Sequence, residues 1–498
     1  METLPSGVKI REFFSPEETR GEILRRVRDG FHKKFPIEND KIRIELESAE
    51  YDPKKLLASV DDELSAVLTG GRLSVPLKGA VRLIDKGTGA EIDRKEVVLA
   101  NVPYLTDDGV FIMGGTQYVT SNQSRLKPGI YARTKDNGEL ESHLNVAPGT
   151  GASMRVFMEP DTGVFRASID KSSIKLYPVL NALGVPDEKL RAVWGDEILQ
   201  KNQDAADKNA FGKFYDKLLG RRAVPDATDD QKRQQVLERM ASARFDPEVN
   251  SRTLGKPYEN LSPDVLADAS SKLLRISRWD DEEDNRDHPA NRTFHSVDDF
   301  MADRVRLDAG ALGKNLLYRA TYDKSLKHLG NGYFTPQLEK LIVSNQLSQV
   351  VPGLNPMEIY DQHNRVIQLG EGGLSSVESI PVASRNLQAG QLGIIDPIRS
   401  SESMSIGVDQ RFTIAARKGD DGHVYYPARN LRTKKVEYVN PVTLYGKTMA
   451  FPAQMSLKSF MNTPLSVPSP SVQQVPSAQS LTSATTSTPT VAADMLNF

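Results

Sequence analysis

The sequence predicts an α+β protein made of several domains. At roughly 150 residues per domain, a chain of 498 residues has room for about three. From Leu73 to about Arg166, apolar residues alternate with small or polar ones, which is typical of strands. From Leu176 to about Ser277 the apolar spacing becomes helical and the segments are rich in charge. A strand-rich part followed by a helix-rich part indicates α+β organisation.

Composition excludes several classes of protein. The chain has 64 Lys and Arg against 66 Asp and Glu, so any contact with nucleic acid must come from a local patch. It has no Cys, which excludes disulfides, thiolate metal sites and thiol nucleophiles. The N-terminus lacks a basic and then apolar leader, and no run of about 18 apolar residues occurs. We therefore expect a cytoplasmic protein.

The first predicted helix begins at Ser15-Pro16. Ser15 is placed to cap the helix, and Glu18 follows three residues later as in a capping box. Ile23, Val27 and Phe31 fall on one helix face. The other face carries cations, which we expect to be solvated, with phosphate contact as the alternative: Arg20, Arg25, Arg26, Arg28, Lys33 and Lys34.

Turn signals then divide the strand-rich part into hairpins. The turn at 85–89 separates a strand that begins near Leu73 from one that ends near Leu99. Further hairpins are expected around Gly114-Gly115 and around 161–163.

Capping signals place the later helices. They are expected to begin at Ser262-Pro263, at Ser296 with Asp299 three residues on, and at Thr335-Pro336. A strand segment with a turn at 419–422 follows, and after Ala453 the composition shifts to Ser, Thr, Pro and Gln. Such a segment cannot bury a core by itself.

No short motif in the sequence has the spacing of a known phosphate-binding or metal-binding site. Gly310 to Asn315 resembles a phosphate-binding loop, but its spacing is too short and no Ser or Thr follows Lys314. The acidic run 280–284 lacks the ligand spacing of a calcium loop, so a solvated loop is favoured. His288 and His295 lack zinc-site spacing. Composition and short motifs alone leave the function open.

Longer patterns carry a resemblance. In order, they are 75–84 with 102–119 and 121–131, then 169–184, then 287–297, and finally 344–374 with its continuation 393–407. These segments resemble the N-terminal half of the β subunit of multisubunit RNA polymerases. The fourth is the most specific: its "SNQLSQ", "NP" and "LGEGGL" are similar to the family's "SSQLSQ", "NP" and "LGPGGL". The sequence departs from the family at Ala290, where a Gly is usual, and at 399–405, which keeps only Glu402 of the central motif.

The resemblance implies a domain plan. It assigns a protrusion-like domain to 1–150, an α-rich lobe-like insertion to 151–285, and the protrusion return with the hybrid and fork-loop region to 286–375. A β-rich fork or external region would occupy 376–452, and a Ser/Thr/Pro-rich tail 453–498.

The resemblance also implies contacts with the RNA–DNA hybrid and with the fork where the downstream duplex separates. An A-form hybrid of variable sequence is held through its backbone and shape. Amide side chains can donate to phosphate or 2′-OH, Arg offers a planar fork, and glycines allow close backbone approach. The expected nucleic-acid-binding residues are Arg125, Gln346, Gln349, Arg365, Gly370, Gly372, Gly373 and Glu402. Without the resemblance, the two glutamines would be interpreted as helix surface and the glycines as an ordinary turn.

The family's rifamycin pocket lies beside the hybrid. Where the family has an Asp, a His and a Ser in that pocket, this chain has Pro352, Gln362 and Ile367. Insensitivity to rifamycin is therefore expected.

The rest of the implied machinery lies in other polypeptides. In the family, the Mg²⁺-binding Asp triplet belongs to β′, and the β residues that touch the nucleotide lie beyond the part that this chain resembles. We therefore expect no catalytic or metal-binding residue in this chain, and no activity from it alone.

The resemblance further implies partners and a setting. The partners are a C-terminal β fragment, β′-type subunits, the DNA template and the RNA transcript, with no membrane. A β subunit divided in this way resembles the split subunits of giant bacteriophages, which implies the cytoplasm of an infected bacterium, with packaging in the virion left open. The alternatives are a non-catalytic β-like protein that modulates a host polymerase, and a truncated full-length β subunit.

Overall fold

The chain forms two compact units. The computed structural model describes residues 2–449 apart from positions 136, 171, 225, 226, 375, 381, 400 and 448, so the predicted tail at 453–498 lies outside the described residues. One unit consists of residues 126–292, and the other of the described residues before 126 and after 292.

The first stretch of the larger unit is rich in strands. Its elements are β1 (Glu2–Thr3), β2 (Lys9–Glu12), α1 (Pro16–Lys34), β3 (Ile37–Glu38), β4 (Ile42–Tyr51), α2 (Val60–Leu68), β5 (Ser74–Asp85), β6 (Glu91–Pro103), β7 (Phe111–Met113), β8 (Thr116–Thr120) and β9 (Asn122–Leu126). The long antiparallel pair β5–β6 confirms the first predicted hairpin, although β6 runs past Leu99 to Pro103. The β7–β8 hairpin turns at Gly114-Gly115 as predicted.

The unit 126–292 is a meander followed by helices. Its elements are β10 (Gly129–Thr134), β11 (Leu140–Asn145), β12 (Met154–Met158), β13 (Phe165–Ile169), β14 (Ser172–Lys175), α3 (Leu176–Ala182), α4 (Asp187–Trp194), α5 (Asp196–Asp204), α6 (Ala210–Leu219), α7 (Asp229–Ala241), α8 (Pro247–Thr253) and α9 (Pro263–Ser277). The five strands pair in chain order, and one face of the sheet shares a core with the helices. This unit includes β10 and β11, so it begins before the lobe-like insertion that the sequence predicts at 151.

The remaining described residues complete the larger unit. They form β15 (Arg292–His295), α10 (Val297–Asp323), α11 (Thr335–Val343), β16 (Ser348–Val350), α12 (Met357–Asn364), β17 (Arg365–Ile367), α13 (Val382–Arg385), β18 (Asp409–Arg411), β19 (Arg417–Gly419), β20 (Val424–Arg429), β21 (Val436–Val439) and α14 (Pro441–Leu444). The predicted starts of α9, α10 and α11 are confirmed.

Returning strands join earlier ones in three sheets of the larger unit. Their orders are β1-β2-β19-β20-β21, β15-β9-β17-β18 and β16-β8-β7, while β3-β4-β5-β6 forms from a continuous stretch. Helices α1, α10 and α11 cover the last sheet and share its core. The mixed, multi-sheet architecture confirms the α+β prediction, and the five named domains stay predictions.

Two details of α1 differ from the sequence prediction. The Ser15 hydroxyl donates to the Glu18 carboxylate (2.9 Å) and makes no bond to the backbone of the first turn, so the predicted cap is wrong in that detail. The prediction that the cationic face of α1 is solvated was wrong for Arg20 and Arg26. Arg20 is buried and donates to the Leu105 carbonyl (3.0 Å), and Arg26 pairs with carboxylates at the start of α10. Arg20 and Arg26 can lie in the protein interior because a carbonyl and carboxylates of neighbouring elements accept their hydrogen bonds.

Candidate nucleic-acid interface

The centre of the candidate interface is a glycine turn, residues 369–374, which directly follows the strand β17 and Gln368. The turn is closed by its own backbone: Gly370 N–H donates to the Leu374 carbonyl (3.0 Å) and Gly373 N–H to the Gly370 carbonyl (2.9 Å). Gly370 and Gly372 have φ of +101° and +82°, which L side chains rarely adopt. The local sequence therefore dictates a tight turn.

Strand β9 clamps this turn from inside the protein. It runs parallel to β17, with Gln123 opposite Ile367. The buried Gln123 donates from Nε2 to the Leu369 carbonyl (2.6 Å) and accepts from the Arg125 Nε. Arg125 donates to the Glu371 carbonyl (3.0 Å).

Two of the glycines are required by this clamp. A Cβ at Gly372 would lie 2.8 Å from the Arg125 guanidinium carbon, and one at Gly373 would lie 2.5 Å from the Gln368 carbonyl oxygen and 2.7 Å from the Gln123 Nε2. The close approach that the sequence suggested is therefore made to backbone and side-chain atoms of the protein itself. A role of these glycines in binding nucleic acid stays a prediction.

Arg125 is held in place on every side. It pairs with Asp303 of α10 (2.9 Å) and lies over the Phe300 ring, with its guanidinium carbon 5.3 Å from the ring centroid. Burial lowers the pKa of the Arg125 guanidinium, and Asp303 opposes that shift. Arg304 on the same helix pairs with Glu371 of the turn. Helix α10 therefore fixes the turn as well as β9 does.

Arg365 is also engaged by protein groups. At the start of β17 its guanidinium pairs with both Asp409 oxygens (2.9 and 2.7 Å) and donates to Gln362 (3.2 Å). Burial alone would raise the pKa of Asp409, but Arg365 and Arg411 lower it below its usual value. The planar fork proposed for phosphate is thus occupied by a carboxylate.

The two glutamines, in contrast, face solvent. Gln346 lies in the turn after α11 and Gln349 in β16, and both are exposed. Between them the buried Leu347 anchors the segment: its carbonyl accepts from Ser121 N–H (2.9 Å), and its side chain lies against Gly370. The segment is also held by β8, where Gln349 is opposite Val119. Two exposed amides therefore stand on a supported backbone next to the glycine turn.

Glu402 makes none of the contacts described above. It is exposed and precedes a short 3₁₀ turn at Ser403–Ser405. The predicted residues that the structure brings together are Arg125, Gly370, Gly372 and Gly373, with Gln346 and Gln349 alongside and Arg365 at the start of the strand that leads to the turn.

Sequence reasoning missed the residues that build the support. Asn122 donates to the carbonyls of His363 (2.6 Å) and Arg365 (3.0 Å), and Gln123 holds Leu369. The sequence did contain a signal for them: consecutive polar residues in a strand flanked by apolar segments indicate buried side chains that form hydrogen bonds.

The positions that the resemblance assigns to a rifamycin pocket are apolar or already hydrogen-bonded. Gln362 is buried and its Oε1 accepts from Ser121 (3.2 Å) and Arg365 (3.2 Å). Ile367 is buried, and Pro352 is exposed.

Two negative findings apply to the described residues. No group of three or more His, Asp or Glu side chains among them is placed to hold a metal ion. Within the same part of the chain, no helix has the length and apolar character needed to cross a membrane.

Comparison with known proteins agrees with the resemblance. The chain is 27% identical over 410 residues to the DNA-directed RNA polymerase subunit beta of Synechococcus elongatus, a match that covers 78% of this chain and 37% of the relative. It is 25% identical over 450 residues to the protein of the same name from Syntrophomonas wolfei, covering 84% of this chain and 39% of that relative. The chain is a homologue of the RNA polymerase β subunit.

This β-subunit homologue spans little more than a third of the length of the curated relatives that it matches. That coverage is consistent with the N-terminal half predicted from the motif order. No family model matches the chain.

Proposed function

We propose that this β-subunit homologue is the N-terminal part of the β subunit of a DNA-dependent RNA polymerase, and that it helps to hold the RNA–DNA hybrid and the downstream DNA. One observation carries the proposal: Gln346 and Gln349 present exposed amides on a rigid segment beside the clamped glycine turn. The similarity to polymerase β subunits over most of the chain supports it.

The chemistry of this surface suits a substrate whose sequence changes at every step. Neutral amides donate to phosphate and 2′-OH groups without reading base edges. They also add no fixed charge, so the hybrid can be released as the enzyme advances, whereas each added cation would strengthen backbone binding. Arg125 and Arg365 support this surface, because their guanidinium groups are bonded to Asp303 and Asp409.

The remaining assignments follow from the proposed family role. Catalytic residues and Mg²⁺ are assigned to other polypeptides, with Mg²⁺ in a β′-type subunit, and a C-terminal β fragment completes the subunit. An origin in a giant bacteriophage and a site of action in the infected host cytoplasm belong to the same proposal. The nucleotidyltransferase activity would belong to the assembly, with this chain inert by itself.

The test is a photocrosslinking and stability experiment on the reconstituted polymerase. A photoreactive amino acid at position 346 or 349 should crosslink to RNA or template DNA in a stalled elongation complex. The same substitution at the exposed Gln234, in the other unit, should not. The double variant Gln346→Ala/Gln349→Ala should shorten the half-life of the stalled complex about thirtyfold, since two hydrogen bonds of about 1 kcal/mol each contribute about 2 kcal/mol together.

Two results would contradict the proposal. One is equal crosslinking at 346 and 234. The other is purification of the chain with host polymerase subunits only, in a mixture whose RNA synthesis does not depend on this chain, which would support a modulator of the host enzyme instead.

A further inference from the structure

Helix α2 exposes an apolar stripe that the described protein does not cover. The stripe comprises Val60, Leu64 and Leu68, whose exposed fractions are 80%, 55% and 75%, and Leu57 (74%) precedes the helix. Single exposed leucines are ordinary, but a contiguous set on one short helix marks an interaction surface.

The geometry of α2 shows that the stripe faces away from the fold. At 100° per residue, Leu64 and Leu68 lie about 40° and 80° around the axis from Val60. Ala66, the buried residue of this helix, falls about 240° from Val60, on the opposite side. The helix thus rests on Ala66, with Val67 half-buried, and turns its other three large apolar residues outward.

The helix is nevertheless firmly seated. Ser59 and Asp62 form a reciprocal capping box at its start, with Ser59 N–H donating to the Asp62 carboxylate (2.9 Å). At its end, Gly71 N–H donates to the Ala66 carbonyl (2.7 Å) and Gly115 N–H to the Gly71 carbonyl (2.9 Å). A Cβ at Gly115 would lie 2.9 Å from the Val67 carbonyl oxygen, so the β7–β8 turn fits closely beneath α2. The stripe is presented by a fixed element.

Carboxylates border the stripe. Asp61 lies on one edge of the stripe and Glu63 on the other, and the exposed Asp107 and Asp108 stand near Glu63. Burial raises the pKa of Glu63, with Asp108 and Asp107 adding to that shift and Arg20 opposing it. The buried Arg20 pairs with Asp107 (2.8 Å), and the exposed Lys54 and Lys55 precede the stripe. The border is therefore mainly negative, and a cation placed there would relieve repulsion among the carboxylates.

These properties select one kind of occupant. Phosphate backbones would be repelled by the carboxylates, and a second copy of this chain would bring two acidic borders together. Residues at i, i+4 and i+8 form a ridge about 12 Å long that fits the groove of another helix. We infer that the apolar stripe of α2 is a docking surface for a partner polypeptide that presents a cationic amphipathic helix. This inference does not rest on the proposed function, because no residue of α2 belongs to the proposed hybrid surface.

The test uses the full chain and two designed peptides. One is a fluorescein-labelled amphipathic helix with Leu on one face and Lys on the other, and its twin carries Glu in place of Lys. Fluorescence anisotropy should show binding of the Lys peptide only. Leu64→Ser/Leu68→Ser should weaken that binding at least about tenfold, since burial of each leucine is worth about 1.5–3 kcal/mol. Asp61→Asn/Glu63→Gln should weaken it less and flatten its dependence on salt.

The matched control is Ile414→Ser, which removes another exposed aliphatic side chain (71%) and should leave binding unchanged. Equal binding of both peptides, or unchanged binding by the Leu64→Ser/Leu68→Ser variant, would overturn the inference. So would a lower Tm in that variant, which would show that the stripe packs within the chain. Dimerisation of the wild-type chain that these two substitutions abolish would assign the stripe to self-association, against the inference.

Discussion

Gly372 is the residue on which the glycine turn depends most directly. Its φ is +82°, and an added methyl group would lie 2.8 Å from the Arg125 guanidinium carbon. Gly372→Ala should therefore combine backbone strain of about 1–2 kcal/mol with displacement of Arg125, for a total loss of about 2–4 kcal/mol in the free energy of unfolding. Gly89→Ala is the matched control, because Gly89 has φ +69° and an added Cβ there would meet no atom within 4 Å. Calorimetry on both variants separates the cost of the clash with Arg125 from the cost of backbone strain. Equal losses in the free energy of unfolding would show that Arg125 does not hold the turn.

His288 makes the unit 126–292 sensitive to acid. Its Nδ1 accepts the Ala290 N–H (3.1 Å), which a doubly protonated ring cannot do, and burial beside Arg252 lowers the His288 pKa to about 4. The unfolded histidine has a pKa near 6.5, so the folded unit binds the proton less well. The stability contributed by neutral His288 is full above about pH 6.5 and is lost as the pH falls through about 4.

His288→Asn should remove that part of the pH dependence, because the amide oxygen of Asn can still accept from Ala290 but does not titrate. Between pH 7 and 4, the wild type should lose up to about 3 kcal/mol more than the variant. Both tryptophans, Trp194 and Trp279, lie in this unit, so urea titration followed by Trp fluorescence reports on it alone. Parallel stability curves for the two proteins would refute the assignment to His288.

A buried ion cluster joins four elements of the larger unit. Asp298, in the first turn of α10, pairs with Arg11 of β2 (2.7 Å), Lys418 of β19 (2.8 Å) and Arg26 of α1 (3.4 Å). Burial alone would raise the pKa of Asp298, but the three cations lower it well below its usual value. The helix N-terminus also favours a carboxylate there.

Asp298→Asn should leave these cations without a main counterion and cost about 3–5 kcal/mol in the free energy of unfolding. Lys418→Met in the same chain should restore part of that loss, since it removes one buried cation. The surface pair Arg25–Asp29 supplies the control, and Asp29→Asn should cost no more than about 1 kcal/mol. Urea denaturation followed by circular dichroism measures these three variants and Lys418→Met alone, and additive effects of Asp298→Asn and Lys418→Met would contradict the coupling.

Elements with strong local signals could be predicted from the sequence, and elements defined by distant partners could not. The Pro and Ser signals located the starts of α9, α10 and α11, and the turn at 85–89 located β5 and β6. Strand β2 pairs with β19, more than 400 residues away, so nothing local specifies it. For the same reason Arg26 was assigned to solvent, because its partners at 298 and 299 become visible only in the folded chain.

The candidate interface, too, was predictable from the sequence only in part. The resemblance placed Gln346, Gln349 and the glycines in one region. In the fold, β16 and the glycine turn both lie next to the buried Leu347, and their role in binding nucleic acid stays a prediction. What the sequence could not show is which donors remain available. Asp303 and Asp409 lie 178 and 44 residues from the arginines that they bind, so the engagement of Arg125 and Arg365 follows only from the folded structure.

The polymerase proposed to contain this chain should transcribe in the presence of rifamycin. The resemblance places an Asp, a His and a Ser in the drug pocket where this chain has Pro352, Gln362 and Ile367. Proline and isoleucine side chains offer no hydrogen bond, and the Gln362 Oε1 already accepts from Ser121 and Arg365 inside the protein. A polar ligand entering this pocket would leave its own groups unpaired, which costs about 1–3 kcal/mol for each group.

Run-off transcription by the reconstituted assembly, beside a bacterial polymerase titrated in parallel, measures the effect of rifamycin. We expect at least about a hundredfold higher half-inhibitory concentration for the assembly, since two unpaired groups correspond to about 3 kcal/mol. Equal inhibition of both enzymes would show that the drug contacts other residues and that these three positions do not line its pocket.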